Sequence, residues 1–179
     1  MELRRIYLLL PCALLFVLAG ASTARADLTA FIGAQSNPST RFTRGISAGS
    51  GFLIVGFEGE YAQTAGDDVC APVESSAGCA PSVRTIMFNG LVQTPRGIIP
   101  KIQLYATAGG GYYRIRYEPL EDSQDTGFGT NVGGGVKIDL AGPLRLRLDY
   151  RIFRLTDTFA PAGLGATSQR FYAGANIAF

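Results

Sequence analysis

The densest chemistry in this sequence is a set of nine ionisable side chains, eight of them spaced at alternate positions. Glu58 and Glu60 are two apart, as are Lys137 and Asp139. Arg145, Arg147, Asp149 and Arg151 make a run of four, and Arg170 stands apart. A spacing of two places side chains on one face of a β-strand, whereas a helix would scatter them around its axis. Cations and anions are nearly balanced, so the set suits mutual ion pairing. It does not suit catalysis, which most often uses a His as general base or as activator of a nucleophile. The sequence contains no His. Ser168 and Ser123 therefore lack an evident activating base, no catalytic site is assigned, and the chain reads as not an enzyme. The acidic cluster Glu118, Glu121, Asp122 and Asp125 could hold a divalent cation, with a solvated loop as the simpler account. No metal site and no cofactor are assigned.

The elements that must position these charges are strands. After residue 26 the chain divides into eight strand-like segments: 27–35, 45–50, 52–63, 83–94, 99–117, 127–140, 144–155 and 168–179. Breakers such as Asn37-Pro38, Pro95-Arg96-Gly97 and Ala141-Gly142-Pro143 separate them. The expected connections alternate, short at Gly51, 95–97 and 141–143 and long at 36–44, 64–82, 118–126 and 156–167. Within the strands the faces divide cleanly. In the seventh, Leu144, Leu146, Leu148, Tyr150 and Ile152 lie opposite Arg145, Arg147, Asp149, Arg151 and Phe153. In the third, Leu53, Val55, Phe57, Gly59 and Tyr61 lie opposite Glu58 and Glu60. In the sixth, Val132, Val136 and Ile138 lie opposite Asn131, Lys137 and Asp139. A soluble barrel would bury the apolar face, and a transmembrane barrel would turn it to lipid and line its lumen with the charges.

The chain ends favour the transmembrane arrangement. Arg4 and Arg5, an apolar run over 6–18 and the small-x-small site Ala24-Arg25-Ala26 read as a signal peptide over residues 1–26. The run is short for a membrane anchor, and Cys12, following Pro11 in mid-run, does not fit a lipoprotein signal. At the other end Phe171, Ala173, Ala175, Ile177 and Phe179 share one strand face, and a final aromatic suits the girdle where membrane meets water. Removing Arg4, Arg5, Arg25 and Glu2 from 16 basic and 14 acidic residues leaves 13 of each. That balance gives no field to attract nucleic acid, so no such partner is expected. No second long apolar run exists to form a transmembrane helix. Cys70 and Cys79 lie close together in an exported loop, so a disulfide is expected, contributing about 2–3 kcal/mol by loop closure. The 23 glycines cluster as Gly109-Gly110-Gly111 and Gly133-Gly134-Gly135. Neither cluster is a phosphate-binding loop. As strand glycines they admit close approach, with Tyr105, Tyr112, Tyr113 and Tyr117 to fill the space. Tyr61, Tyr117 and Tyr150 suit an interfacial girdle.

With residues 171–179, the Gly-rich strands and the alternating acid–base set, the chain resembles the OmpA/OmpX-like superfamily of eight-stranded outer-membrane β-barrels. This is the broad outer membrane protein β-barrel domain group, and the resemblance covers all of 27–179. It implies an all-β, eight-stranded antiparallel up-and-down transmembrane β-barrel, one domain over 27–179 behind a cleavable signal peptide. The implied location is the bacterial outer membrane, with both termini periplasmic. Its surroundings would be outer-membrane lipid and lipopolysaccharide, to which the acidic cluster could bridge through a cation. The resemblance also implies a monomer whose terminal Phe171 to Phe179 face is read by the barrel-assembly machinery; any extracellular ligand is left open. The chain ends at the barrel, so the peptidoglycan tether of full-length OmpA is not implied.

Eight strands leave an interior just wide enough for side chains to fill. Nine charges there must pair and hydrogen-bond, with Glu58 and Glu60 expected to reach Arg145, Arg147 and Arg151 across the lumen. The function expected is that of a side-chain-filled barrel with a structural or surface-interaction role through its loops. A narrow gated pore for ions or small solutes is the alternative. A lipid-modifying enzyme ranks third for want of a His.

Overall fold

The computed structural model describes residues 25–36, 39–52, 54–66, 81–116, 124–155 and 167–179. They form eight strands: β1 (Arg25–Ser36), β2 (Arg41–Phe52), β3 (Val55–Thr64), β4 (Ser82–Gln93), β5 (Ile102–Arg116), β6 (Gln124–Ala141), β7 (Leu144–Leu155) and β8 (Thr167–Ala178). Each pairs antiparallel with its sequence neighbours, and β8 returns to β1 to close the barrel. No helix occurs among the described residues. The closing seam runs from Asp27 opposite Ala178 to Ser36 opposite Gln169. Ala26 and Phe179 extend it by exchanging two backbone hydrogen bonds of 2.9 Å. A closed sheet has no free edge, which is what a β-structure needs to sit in hydrocarbon.

Period-two alternation decides what each face carries. Phe57 is 72% exposed while its neighbour Glu58 is 4% exposed. Along β4, Ile86, Phe88 and Val92 point out, and Thr85, Met87, Asn89 and Leu91 point in. The barrel is thus apolar outside and polar inside, the reverse of a water-soluble barrel. Two small apolar clusters share the interior with the polar groups. Phe31, Ala62 and Tyr172 form one, with the Phe31 and Tyr172 rings stacked at 4.0 Å. Val83, Tyr113 and Ile115 form the other, towards the end where the longest connection, 65–81, lies.

Several boundaries differ from the sequence expectation. β2 begins at Arg41 rather than residue 45, because Gln35 pairs with Arg41 and leaves only 37–40 between the strands. The polar run at its start is held from inside: Thr43 Oγ1 lies 2.8 Å from Thr64 Oγ1, and Arg41 bonds the Pro81 carbonyl. Gly51 is not the turn. It lies within β2 opposite Gly56, and its missing side chain makes room for Gln93, whose Nε2 would lie 2.8 Å from an added Cβ. The chain turns after Phe52, which pairs with Val55. β5 starts at Ile102 rather than residue 99. Pro100 cannot donate to a ladder, and Lys101 adopts a φ of 63°. The 94–101 connection is therefore longer than 37–40, and the short–long alternation is not strict. The turn at Gly142-Pro143 is as expected, with Gly142 at a φ of 56°. β1 takes in Arg25 and Ala26, the last two residues of the expected signal peptide; residues 1–24 lie outside the described residues. So do Cys70, Cys79, Tyr117, Glu118, Glu121, Asp122 and Ser123, and Asp125 is described only as backbone.

Candidate functional site: the lumen charge network

β3 and β7 stand four strands apart in either direction around the ring, so their inward side chains face each other across the lumen. Glu58 and Glu60 reach in from β3, and Arg147, Asp149 and Arg151 from β7. Arg170 joins from β8. Arg147 forms an ion pair with Glu58 through both η nitrogens, the second at 3.3 Å. It also lies 3.0 Å from Asp149 Oδ2. Arg151 contacts Glu58 Oε1 at 2.8 Å, Asp149 Oδ1 at 2.9 Å and Glu60 Oε2 at 3.1 Å. Arg170 Nη1 lies 2.9 Å from Glu60 Oε1. These three guanidiniums and three carboxylates form one neutral cluster, and their side chains are all at most 1% exposed.

Neutral groups supply further hydrogen bonds to the cluster. Arg147 Nε donates to Tyr105 Oη at 2.7 Å, and the Tyr105 hydroxyl donates to Asp149. Arg151 donates to Tyr172 Oη at 3.2 Å. Ser47 donates to Glu58 at 3.1 Å. Arg170 donates to Gln35 Oε1 at 3.0 and 3.2 Å, and its guanidinium stacks over the Phe153 ring at 4.3 Å. A buried charge is tolerated when it is paired and its remaining hydrogen bonds are met. The planar arginine fork does this well because it offers five donors in fixed directions.

Three of the expected lumen charges lie apart from this cluster. Lys137 is buried and pairs with Asp27 at 2.5 Å. Arg145 does not reach Glu58 or Glu60; it pairs with Asp139 at 2.8 Å. Asp139 itself is 52% exposed, beside the irregular pairing that ends β6, and so sits at the rim rather than in the dry interior. Asp27, the partner of Lys137, is a lumen charge outside the expected set. Its place in the alternation with Thr29 and Phe31 is the signal that marks it as inward-facing. Tyr172 is a further lumen residue outside the expected set, and its spacing of two from Arg170 is the signal that places it on the inward face. The outward set of β8 has Phe171 and Ile177 exposed, and Phe179 is 75% exposed.

Below the cluster, towards the short-turn end, lies a cavity of about 290 Å³ lined by Asp27, Glu58, Gln93, Gln103 and Lys137 among others. The cluster forms its inner limit at Glu58. No group of three or more metal-ligating side chains occurs among the described residues. Ser168 is buried in the lumen, its hydroxyl accepting from Gln35 Nε2 at 3.3 Å.

A family model described as the outer membrane protein beta-barrel domain matches residues 12–179. No curated protein matches the sequence. Solved structures do. Neisserial surface protein A (NspA) aligns with a TM-score of 0.66 at 16% identity, covering 88% of this chain and 97% of its own. Ail, the attachment invasion locus protein of Yersinia pestis, aligns at 0.51 with 13% identity, covering 87% and 97%. The outer membrane enzyme PagL aligns at 0.53 with 14% identity, covering 84% and 98%. At these identities the likeness is one of fold.

Proposed function

Since the chain belongs to the outer membrane protein beta-barrel domain family and so to the bacterial outer membrane, we propose that it acts as a closed barrel that presents loops rather than conducts. In this reading both termini face the periplasm and the 65–81 and 156–166 connections face outward, where a structural or surface-interaction role resides. Loops on a rigid scaffold are the usual carriers of such roles. The observation that carries the reading is the neutral six-residue cluster, which joins opposite walls at a level where its side chains have almost no solvent contact.

The fold itself does not choose between binding and catalysis, because structures of this shape include both a surface protein and an enzyme. The residues favour a non-catalytic role. There is no His, and Ser168 is committed inside the lumen. Planar-bilayer recording of the refolded protein tests the proposal. It expects a quiet trace under applied voltage; discrete, ion-selective steps from the wild-type protein would replace it with the pore.

A further inference from the structure

The cavity at the short-turn end is space that the sequence leaves unfilled. The inward positions at the end of β2 are Gly49 and Gly51, both on its wall and neither with a side chain to occupy it. About 290 Å³ is large for a void in a close-packed interior, and such a void is costly unless something fills it. The charge cluster ends the cavity at Glu58, so whatever enters must leave by the same mouth, beside Pro95 and Arg96.

Two polar side chains on the wall have hydrogen-bonding capacity left over. Gln103 is 6% exposed, and its Nε2 donates to the Thr94 carbonyl at 3.1 Å. Its Oε1 is thereby left buried with no partner among the described residues. Lys137 is buried and carries three N–H donors, yet Asp27 is its one hydrogen-bond partner among the described residues. Gln103 and Lys137 are direct cross-strand neighbours on β5 and β6. An unmet acceptor and a charged donor with capacity to spare thus stand side by side on one cavity wall.

The lining charges choose the sign of a guest. Asp27, Glu58, Lys137 and Arg96 all line the cavity. Glu58 is answered within the cluster by Arg147 and Arg151, so two cations face one anion. That balance favours an anionic ligand. A cationic donor at Gln103 Oε1 would sit against the Lys137 ammonium, so the donor that suits Oε1 is an uncharged hydroxyl.

We propose that this cavity binds a small 2-hydroxy carboxylate from the aqueous phase at the short-turn end. Its carboxylate accepts from Lys137 and its hydroxyl donates to Gln103 Oε1. Arg96 at the mouth adds attraction for the anion, and the inward glycines provide the room.

The sequence supplies its own probe, because lysine occurs only at 101 and 137. Lys101 is exposed and does not line the cavity. The test is NMR of the whole protein refolded in zwitterionic micelles with isotope-labelled lysine, titrated with lactate, propionate or free alanine. Lactate is expected to shift the Lys137 ammonium signal saturably and leave Lys101 in place. Propionate, which lacks the hydroxyl, and alanine, which puts an ammonium there, should each bind about tenfold more weakly. Gln103→Met should bind lactate no better than propionate, with heat-modifiable gel mobility reporting that it folds. The three-acid comparison in wild type carries the test if that variant does not refold. A Lys137 signal unmoved by lactate would mean a cavity that holds water only, and would overturn the proposal. So would parallel shifts at Lys101, equal binding of the three acids, or a preference for lactate that survives Gln103→Met.

Discussion

Arg147 shows how a side chain decides whether a charge can sit at the centre of this barrel. Its side chain has no solvent exposure, yet it touches Glu58, Asp149 and Tyr105 in separate directions. The space for that arrangement comes from glycine. An added Cβ at Gly135 would lie 2.2 Å from the Leu148 carbonyl oxygen and 2.5 Å from Tyr105 Oη. Gly135→Ala is therefore expected to push Tyr105 off Arg147 and cost about 1–3 kcal/mol, as overpacking does. Gly90→Ala is the control, since its nearest neighbour would be Ala108 O at 3.8 Å. Urea unfolding in lipid vesicles should separate the two; equal midpoints would contradict this packing. The alternation at 58–60 and 145–151 made the opposed acid and base sets legible in the sequence. The particular pairs were not, because which arginine meets which carboxylate depends on height in the barrel. Arg145 lies one pleat too near the short-turn end and takes rim-exposed Asp139 instead of a β3 glutamate.

At the scale of the strand, two faces obey two solvents. Val132 is 56% exposed near the middle of β6, and its neighbour Asn131 is 4% exposed. Val132→Lys should cost about 2–4 kcal/mol in lipid, the charge having no route to water at the midplane. An unchanged unfolding midpoint for that variant would place residue 132 away from lipid. Strand number, order and facing were readable from period two, because one face of each strand must be consistently apolar. The ends of β2 and β5 were not. The inward polar residues Arg41 and Thr43 look like loop until their partners Pro81 and Thr64 are in place. Gly51 looks like a turn until Gln93 is seen above it. In β8 the proposed assembly signal gives a separate expectation. Phe179→Ser should slow delivery to the outer membrane in cells while leaving refolding in detergent intact; equal incorporation of both proteins would remove that role. The loop disulfide is tested by thiol counting on denatured, unreduced protein, which should find neither Cys70 nor Cys79 free.

For the molecule as a whole, closure and charge balance answer one problem. A barrel in lipid satisfies its backbone only if the sheet closes, and a closed eight-stranded sheet leaves an interior narrow enough for side chains to fill at the level of the charge cluster. Its polar side chains must then satisfy one another. The central claim is that Glu58 and Arg147 face inward and hold each other across the lumen. The direct measurement is a double-mutant cycle on unfolding in lipid vesicles, with Glu58→Ala, Arg147→Ala and both together. Each single change should destabilise by about 3–5 kcal/mol, since it strands a buried charge. The double should lose less than the sum, with a coupling of about 0.5–3 kcal/mol. Singles that leave the midpoint unchanged, or a Glu58→Ala variant more stable than wild type, would put these charges on the lipid face and contradict the account.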